Sequence, residues 1–404
     1  MSELFPFRAL RPAPGAAPSV ASVPYDVVNT GEARAIAAGN PLSFLHVTRS
    51  EIDLPSGTHP YDAAVYAQAV RSLEDLKRRA PLLLDDEAAL YVYRLRMGTH
   101  EQTGLAGTFS LDEYERGLIK KHEKTRQDKE DDRTRHIVEL RAQTGVVLLA
   151  YRALSAIDAV VAQASRGAPL YDFVADDGIA HTIWRVAGDE CEAFVSAFRT
   201  LDALYIADGH HRLASAARAR QTLRAPGRPS AADRVLAVAF PDAQMRILPY
   251  HRVVKDLAGQ TPDAFLEALR RHCTVEEGSA EPDRPGRVAM YLHGRWHTLT
   301  LPTADEAAPR SDRLDVEVLQ RTVLEPLLKV GDPRRDTRID FIGGIRGTGE
   351  LARLVDAGKA AVAFSMFSVG IADLMAIADA GGIMPPKSTW FEPKLRDGLL
   401  VHLI

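Results

Sequence analysis

The sequence predicts a mixed α+β fold with two domains. The chain has 404 residues, of which 46% are hydrophobic and 26% are charged, as in an ordinary globular protein with ample material for a core. Short apolar runs that are typical of strands alternate with stretches of helical periodicity. The segment 224–232, RAPGRPSAA, is rich in Pro, Gly and Ser and is the best candidate for a linker. We therefore expect one domain over residues 1–225 and a second over residues 233–404.

Charge and composition exclude several classes of protein. The net charge of −4 produces no global field that would attract nucleic acid, and the two cysteines are isolated, so neither disulfides nor a zinc knuckle are expected. The amino terminus lacks the pattern of a secretory leader, and the longest uncharged apolar stretch, 360–372, is too short to span a bilayer. The sequence therefore predicts a cytoplasmic protein that binds neither membranes nor nucleic acid.

The amino-terminal quarter begins with a proline-rich segment, 5–28, which we predict to be an extended arm over a core. Next, residues 43–47 (SFLHV) are a candidate strand that would place Arg49 and Glu51 just after its end, where binding sites are often built. Residues 61–80 have apolar side chains at helical spacing and are followed by Pro81, which predicts a helix that stops there.

The middle of the chain contains a dense charge cluster. Strands are predicted at 90–95 and 104–110, with 100–103 as a hairpin loop, and then residues 120–133 carry eleven charged side chains in fourteen positions. Opposite charges at helical spacing are typical of a solvated helix. The stretch His122 to Thr125 also combines an imidazole, a carboxylate, an ammonium group and a hydroxyl, which suits a phosphorylated ligand.

The most distinctive stretch is 201–220, LDALYIADGHHRLASAARAR, in which an apolar run ends at an acid, a glycine and two histidines. We predict a strand over 204–207, a helix over 213–220, and a turn at Asp208 and Gly209 between them. Here this strand–turn–helix segment is called the elbow. Glycine allows close approach of the backbone to a ligand, and free N–H groups at the start of a helix bind anions, so the elbow predicts a phosphate site. In the alternative interpretation, Asp208 only caps the helix.

The carboxyl-terminal part is predicted to hold a strand pair at 234–240 and 247–251, a hairpin over 287–301 and a helix over 315–328. Strand context argues against a zinc pair at His293 and His297. A weak dinucleotide-type glycine pattern at 347–352 has no acid after the next strand, so it is interpreted as a plain strand-to-helix connection. The final residues, 399–404, are predicted to form a core strand.

Five separated blocks carry the most distinctive residues: VPYDVV at 23–28, NP at 40–41 with SFLHV at 43–47, KHEKT at 121–125, YIADGHHR at 205–212, and MPPKSTWF at 384–391. Together, and in this order, they resemble the domain-of-unknown-function family 1015 nearly from end to end. The D-G-H-H-R block is also similar to that of the ParB/sulfiredoxin-like superfamily, which includes chromosome-partitioning nucleotidases, sulfiredoxin and kinases of free L-serine.

This resemblance implies a ParB/sulfiredoxin-like mixed α/β core with a large insertion around 52–200 and a carboxyl-terminal α/β domain that contributes to the site. It implies an ATP- or ADP-dependent kinase that uses Mg²⁺ and phosphorylates a small hydroxyl-bearing metabolite, most simply L-serine. The implied roles are catalysis by Glu51, Asp208 and His211, magnesium binding by Asp208, nucleotide binding by Gly209, His210, His211, Arg212, Lys124, Thr125, Lys387, Ser388 and Thr389, and substrate binding by His46, Arg49, Asp26 and His122.

Several alternatives stay open at the level of sequence. Asp26 competes with Glu51 as the base, since Glu51 corresponds only by its order along the chain, about 150 residues before Asp208. The same elbow would also suit a nucleotide-binding regulator, or a metal-dependent hydrolase that uses Asp208 and the two histidines. The elbow has no cysteine, which disfavours the sulfiredoxin branch, and the acidic net charge disfavours the DNA-partitioning branch. The oligomeric state, with a homodimer as one candidate, is left open.

Overall fold

The computed structural model describes residues 2–79, 82–224, 227 and 229–404. The chain forms two compact units: unit 1 comprises residues 1–245 and 393–404, and unit 2 comprises residues 246–392. Both units are mixed α/β structures, as the sequence predicts. The division differs from the predicted one, because it falls after residue 245 and the last twelve residues return to unit 1. Of the predicted linker, residues 225, 226 and 228 lie outside the described residues.

Unit 1 is built on a nine-stranded mixed sheet. Its strands in spatial order are Ile119–Lys120, Leu204–Asp208, Val147–Tyr151, Arg234–Pro241, His100–Ser110, Ala89–Met97, Ala180–Ala187 and Tyr171–Val174, with Leu4–Phe5 paired to His100–Ser110. Apolar side chains of these strands and of the helices that cover them form the main core, which includes Leu149, Ile206 and Leu213. Because residues between 52 and 200 supply six of these strands, the predicted insertion is part of the unit 1 sheet.

A second, four-stranded sheet of unit 1 joins distant parts of the chain. It has the order Leu82–Leu84, Ala9–Pro12, Val401–Leu403, Ala142–Gln143. Val401 pairs with Leu10, so the carboxyl-terminal strand predicted from the apolar run at 399–404 does form part of a core. The α-helices of unit 1 are Ala17–Val20, Thr30–Ala37, Leu45–Thr48, Ala63–Arg79, Leu111–Glu115, Gln127–Leu140, Ser155–Ala164, Glu190–Phe198 and His210–Leu223.

Unit 2 contains a six-stranded antiparallel sheet. Its order is Thr274–Glu277, Arg295–Thr300, Arg287–Leu292, Val362–Ser365, Tyr250–Val254, Ile339–Gly343. A separate strand pair, Arg246–Leu248 with Trp390–Glu392, lies where the chain enters and leaves the unit. The helices are Pro262–Leu269, capped by the Thr261 hydroxyl as its sequence indicates, then Asp315–Leu319 with Glu325–Leu328 after a π-helical turn, Gly347–Asp356 and Ile371–Asp379.

Several local predictions are wrong; residues 100–103, for example, lie inside the strand His100–Ser110 and do not form a hairpin loop. Residues 43–47 do not form a strand: Leu45–Thr48 is a short helix, in which Leu45 N–H bonds the Ser43 hydroxyl at 3.3 Å. A short apolar run has no decisive period, so strand and helix cannot be separated from it alone. The segments 234–240 and 247–251 are not paired, because Arg234–Pro241 lies in the unit 1 sheet and Tyr250–Val254 in the unit 2 sheet. The charge cluster is helical only from Gln127 onwards.

Candidate functional site

The elbow has the predicted strand–turn–helix form. The buried strand Leu204–Asp208 leads to Gly209, whose φ of 96° lies in the left-handed region, and the helix His210–Leu223 follows directly. A Cβ at Gly209 would also lie only 3.2 Å from Arg212 Cζ, so glycine is required here for two reasons. The first N–H groups of a helix have no intrahelical acceptor, and in this helix they follow a strand that ends at Asp208.

Arg212 is the charged centre of the elbow. Its side chain is 6% exposed, and Nη2 lies 3.2 Å from Asp26 Oδ2 and 3.5 Å from Asp208 Oδ2, while Nη1 donates to the Val146 carbonyl. Burial opposes its charge, yet the nearby carboxylates of Asp26, Asp208 and Asp397 raise the pKa of Arg212 above its ordinary value. The guanidinium is therefore permanently charged and joins the amino-terminal arm to the elbow.

Asp208 lies between two cations. Lys394 Nζ donates to its Oδ2 at 3.0 Å, in addition to the contact with Arg212. Burial alone would raise the pKa of Asp208, but Lys394 and Arg212 together hold this pKa well below its usual range. Asp208 is thus an ionised structural anchor that keeps both cations at the end of the strand.

The histidines of the elbow and of the KHEKT block meet as neutral rings. His210 and His122 are buried edge to face with 4.4 Å between ring centroids, and His210 Nε2 accepts the His122 N–H at 3.3 Å. Burial is the main cause that lowers the pKa of His122 to about 4 and that of His210 well below its ordinary value. Neutral His210 therefore carries its proton on Nδ1, which lies 3.8 Å from Glu123 Oε2. His211 Nε2 likewise accepts the Arg126 N–H at 3.0 Å.

The predicted amino-terminal residues form a cluster of their own within unit 1. Glu51 is 5% exposed; its Oε1 accepts from the Thr30 hydroxyl at 3.1 Å and forms an ion pair of 3.0 Å with Arg49 Nη2. His46 Nδ1 contacts Asp53 at 2.8 Å, and this hydrogen bond is the main cause that raises the pKa of His46.

Arg133 lies beside sequence neighbours of both groups of residues. Its guanidinium lies 4.3 Å from the centre of the ring of Tyr25, which precedes Asp26, and its Nη1 donates at 3.3 Å to the carbonyl of Thr48, which precedes Arg49. Of the predicted amino-terminal residues, Asp26 contacts the elbow, through Arg212.

The other predicted nucleotide ligands lie outside these contacts. Lys124 is exposed in the irregular segment before the helix Gln127–Leu140, and the Thr125 hydroxyl donates to Glu130. Lys387, Ser388 and Thr389 belong to unit 2, where Lys387 has a left-handed φ of 54° and its carbonyl accepts from Arg252. The Ser388 hydroxyl donates to the Pro385 carbonyl at 2.6 Å. Their predicted roles stay predictions.

Sequence reasoning missed two charged residues that lie near the elbow, Lys394 and Asp397. Both follow the MPPKSTWF block directly, in the segment between that block and the last strand. Asp397 is 1% exposed, and neither of its carboxylate oxygens has a hydrogen-bond partner among the residues that the structure describes. The charged segment between the MPPKSTWF block and the apolar last strand could have indicated them, because charged side chains that are held between buried segments need partners in the fold.

The elbow does not form a resident metal site. Within the described parts of the chain, no three His, Cys, Asp or Glu side chains are grouped so that they could hold a metal ion. The only predicted metal ligand, Asp208, is already neutralised by Lys394 and Arg212. The residues therefore do not fit a protein-held Mg²⁺ ion; a magnesium ion would have to arrive with the phosphates of a nucleotide.

The described residues also contain no helix that combines the length and the apolar character needed to cross a bilayer.

Comparison with known proteins gives a family and distant structural neighbours. A family model described as "Protein of unknown function (DUF1015)" matches residues 4–317. No curated protein matches the sequence. Among solved structures, a mutant free serine kinase in complex with ADP is similar over 72% of this chain and 92% of its own, with 14% identity and a TM-score of 0.35.

Two further structures are similar at the same level. A conserved hypothetical protein from Pyrococcus furiosus covers 74% of this chain and 95% of its own, with 15% identity and a TM-score of 0.35. A carboxyl-terminally truncated SbnI from Staphylococcus aureus covers 74% of this chain and 87% of its own, with 13% identity and a TM-score of 0.40.

Proposed function

Because the chain belongs to the DUF1015 family, which is described as having no known function, we propose an activity from the site itself: a nucleotide-dependent phosphotransferase that acts on a small hydroxyl-bearing metabolite. The observation that carries the proposal is the convergence of Arg212 and Lys394 on the end of the strand from which the glycine-started helix begins. Fixed cations beside free helix N–H groups are what polyphosphate binding requires.

In the proposed reaction, the elbow N–H groups, Arg212 and Lys394 hold the phosphates of ATP or ADP. A Mg²⁺ ion that enters with the nucleotide would neutralise part of the phosphate charge. The acceptor hydroxyl oxygen forms the new bond to phosphorus, the bond to the leaving phosphate breaks, and a carboxylate takes the hydroxyl proton. We propose L-serine as the simplest acceptor, with O-phosphoserine as the product.

Two carboxylates compete for the role of base. Glu51 follows from the resemblance, but it is buried, and its Oε1 already accepts one hydrogen bond and pairs with Arg49. Asp26 has a 37% exposed side chain that contacts Arg212 of the elbow. A base must reach the hydroxyl of a substrate that lies beside the donor phosphates, so these contacts favour Asp26.

The proposal is tested by incubating the protein with Mg²⁺ and either ATP or ADP against a panel of hydroxyl amino acids and small polyols. We expect acceptor-dependent nucleotide turnover that is lost in Asp26→Asn if Asp26 is the base, or in Glu51→Gln if Glu51 is. The matched control is Asp131→Asn, since Asp131 also accepts from an arginine of the elbow helix, Arg218 at 2.6 Å, but two turns further along. The absence of acceptor-dependent turnover across the whole panel would contradict a kinase.

A second candidate is a nucleotide-binding regulator with slow hydrolysis or none. It is supported by the observation that Glu51 and Asp208 each form an ion pair, with Arg49 and Lys394. Such pairs stabilise the fold, but they occupy a carboxylate oxygen that a base would need for the substrate proton. Tight binding of ADP or ATP without turnover of any acceptor would favour this candidate over the kinase.

A further inference from the structure

Asp397 is a buried carboxylate with a fixed position and unsatisfied oxygens. Its backbone pairs with Ser22 through two hydrogen bonds of 2.9 and 3.1 Å, which anchor the residue between the last strand and the amino-terminal arm. Its side chain is 1% exposed, and neither oxygen makes a hydrogen bond of good geometry to the described residues. The backbone of Val146 is close enough to favour the ionised form, but this effect is smaller than that of burial. An ionised carboxylate in such a place is costly, whereas a protonated one is tolerated.

Several charged and titratable groups face Asp397. Arg212 comes from the elbow helix, Asp26 from the amino-terminal arm, Arg133 from the helix Gln127–Leu140 and Tyr93 from the central sheet. Burial is the largest influence and raises the pKa of Asp397 to about 7, with Arg212 acting against the rise and Asp26 adding to it. Asp397 therefore exchanges its proton near neutral pH.

Arg212 connects this carboxylate to the elbow. A Cβ placed on Gly145 would lie 3.1 Å from Arg212 Cδ and 4.0 Å from Asp397 Oδ1, so both side chains border the same glycine. On its other side the same guanidinium contacts Asp26 and Asp208. Asp397 and a ligand at the elbow thus interact with one shared cation.

The number of charges around Arg212 determines whether an anion at the elbow favours the protonated or the ionised form of Asp397. Around Arg212 and Lys394 lie the three carboxylates Asp26, Asp208 and Asp397. Arg133, which also faces Asp397, is paired with Asp132 at 2.7 Å and therefore adds no net charge. When Asp397 is protonated, Arg212 and Lys394 face two carboxylates; when it is ionised, the cluster carries an excess negative charge. An anion that binds at the elbow must therefore favour the protonated form of Asp397.

We propose that Asp397 is a proton-linked positioning residue: an anionic ligand binds at the elbow together with a proton that is held on the Asp397 carboxyl group. The proposal rests on phosphate binding at the elbow and deepens the proposed function by making ligand affinity depend on pH. Because the anion binds the protonated form better, its binding takes up a proton, and raising the pH weakens binding.

The test is calorimetric titration of the full chain with ADP between pH 6 and pH 8, in pairs of buffers that differ in ionisation enthalpy. For the wild type we expect net proton uptake and about tenfold weaker binding at pH 8 than at pH 6. For Asp397→Asn we expect no net proton uptake on binding beyond that due to the change in protonation of ADP itself. Asp177→Asn is the control, since Asp177 pairs with the neighbouring Arg396 and should keep the wild-type pH profile.

The outcomes separate this proposal from the function on which it rests. Equal proton uptake by the wild type and Asp397→Asn overturns the coupling but leaves nucleotide binding intact. If Asp397→Asn does not fold, the absence of uptake beyond that of free ADP in the wild type alone overturns the coupling. If ADP does not bind at any pH, the nucleotide-dependent function fails, and the same titration with inorganic pyrophosphate decides whether an anion at the elbow is still coupled to a proton.

Discussion

Arg212 contacts groups from separate parts of the chain: it donates to the Asp26 carboxylate and the Val146 carbonyl, and it forms an ion pair of 3.5 Å with the Asp208 carboxylate. A buried charge that is shared in this way stabilises the fold only while all its partners are present, because removal of one leaves the others uncompensated. The elbow is therefore a structural junction as well as a candidate binding site, and variants must be judged by stability and by binding together.

Arg212→Met tests this junction. The substitution keeps most of the buried chain length but leaves Asp26, Asp208 and Asp397 without the guanidinium. We expect the free energy of unfolding to fall by about 3–5 kcal/mol, measured by urea denaturation. The control is Arg218→Met on the same helix, where the ion pair with Asp131 is exposed to solvent and its removal should lower the free energy of unfolding far less. Equal losses in both variants would contradict the special role of Arg212.

Asp397→Asn tests the cost of the buried carboxylate. Its pKa is about 7 in the folded state and near 3.8 when unfolded, so the folded state binds the proton more tightly and stability falls as pH rises between those values. Asparagine removes this loss. We expect the variant to match the wild type near pH 4 and to be more stable above pH 7, by up to about 4 kcal/mol. A stability difference that does not change with pH would argue against a raised pKa.

Sequence patterns located the elbow but not all of the charged residues around it. The spacing from Leu204 to Arg212 predicted the strand, the turn and the anion-binding helix start, and the KHEKT block was recognised as chemically unusual. Lys394 and Asp397 were missed because the ion partner of a residue is decided in space: Lys394 and Asp208 are 186 positions apart. The neutrality of His122 and His210 also follows from burial, which their neighbours in sequence do not reveal.

At the scale of elements, the elbow is a strand and a helix joined by one residue with positive φ. Its apolar strand and alanine-rich helix could be predicted because their periods differ clearly. The helix Leu45–Thr48 could not be predicted, because a run of four mostly apolar residues, three of them buried, fits either period. Only packing in the core that contains Val20 and Leu73 decides between helix and strand. The order of strands in the two large sheets was also beyond prediction, since pairing depends on partners far along the chain.

Gly209→Ala tests the elbow as an element. Alanine would have to adopt a φ of 96° and place its Cβ 3.2 Å from Arg212 Cζ. We expect a loss of about 1–2 kcal/mol in unfolding free energy and a loss of about tenfold in ADP affinity. Gly117→Ala is the matched control: its φ is 76°, but a Cβ there meets nothing within 4 Å. It should show a similar stability cost and unchanged binding; weakened binding in the control would contradict a local effect at the elbow.

At the scale of the whole molecule, unit 2 is an insertion between residues 245 and 393 of unit 1. Arg246 and Glu392 are paired residues of one antiparallel ladder, so the chain enters and leaves unit 2 at neighbouring points. Each unit has its own sheet and its own apolar core. The predicted linker at 224–232 placed the domain boundary too early in the chain. The strand Arg234–Pro241, which follows it, still belongs to the unit 1 sheet.

Replacement of residues 246–392 by a short Gly-Ser linker should therefore leave unit 1 folded, since paired strand residues lie only about 5 Å apart. We expect cooperative unfolding of this variant and retention of ADP binding if the nucleotide is held by unit 1 alone. The control is residues 1–245 without 393–404, which lacks Lys394, Asp397 and the strand Val401–Leu403 and should not unfold cooperatively. Cooperative unfolding of this shorter chain would show that the last segment is dispensable.

The return of the last twelve residues to unit 1 has a consequence for the folding of the chain during its synthesis. Asp208 and Arg212 emerge from the ribosome long before Lys394 and Asp397, with all of unit 2 synthesised in between. During that interval two of the three carboxylates around Arg212 are present, but the lysine that neutralises Asp208 is not. The elbow thus acquires its full set of charged neighbours only after unit 2 has been synthesised, so the proposed phosphate site is incomplete until the last segment has joined unit 1.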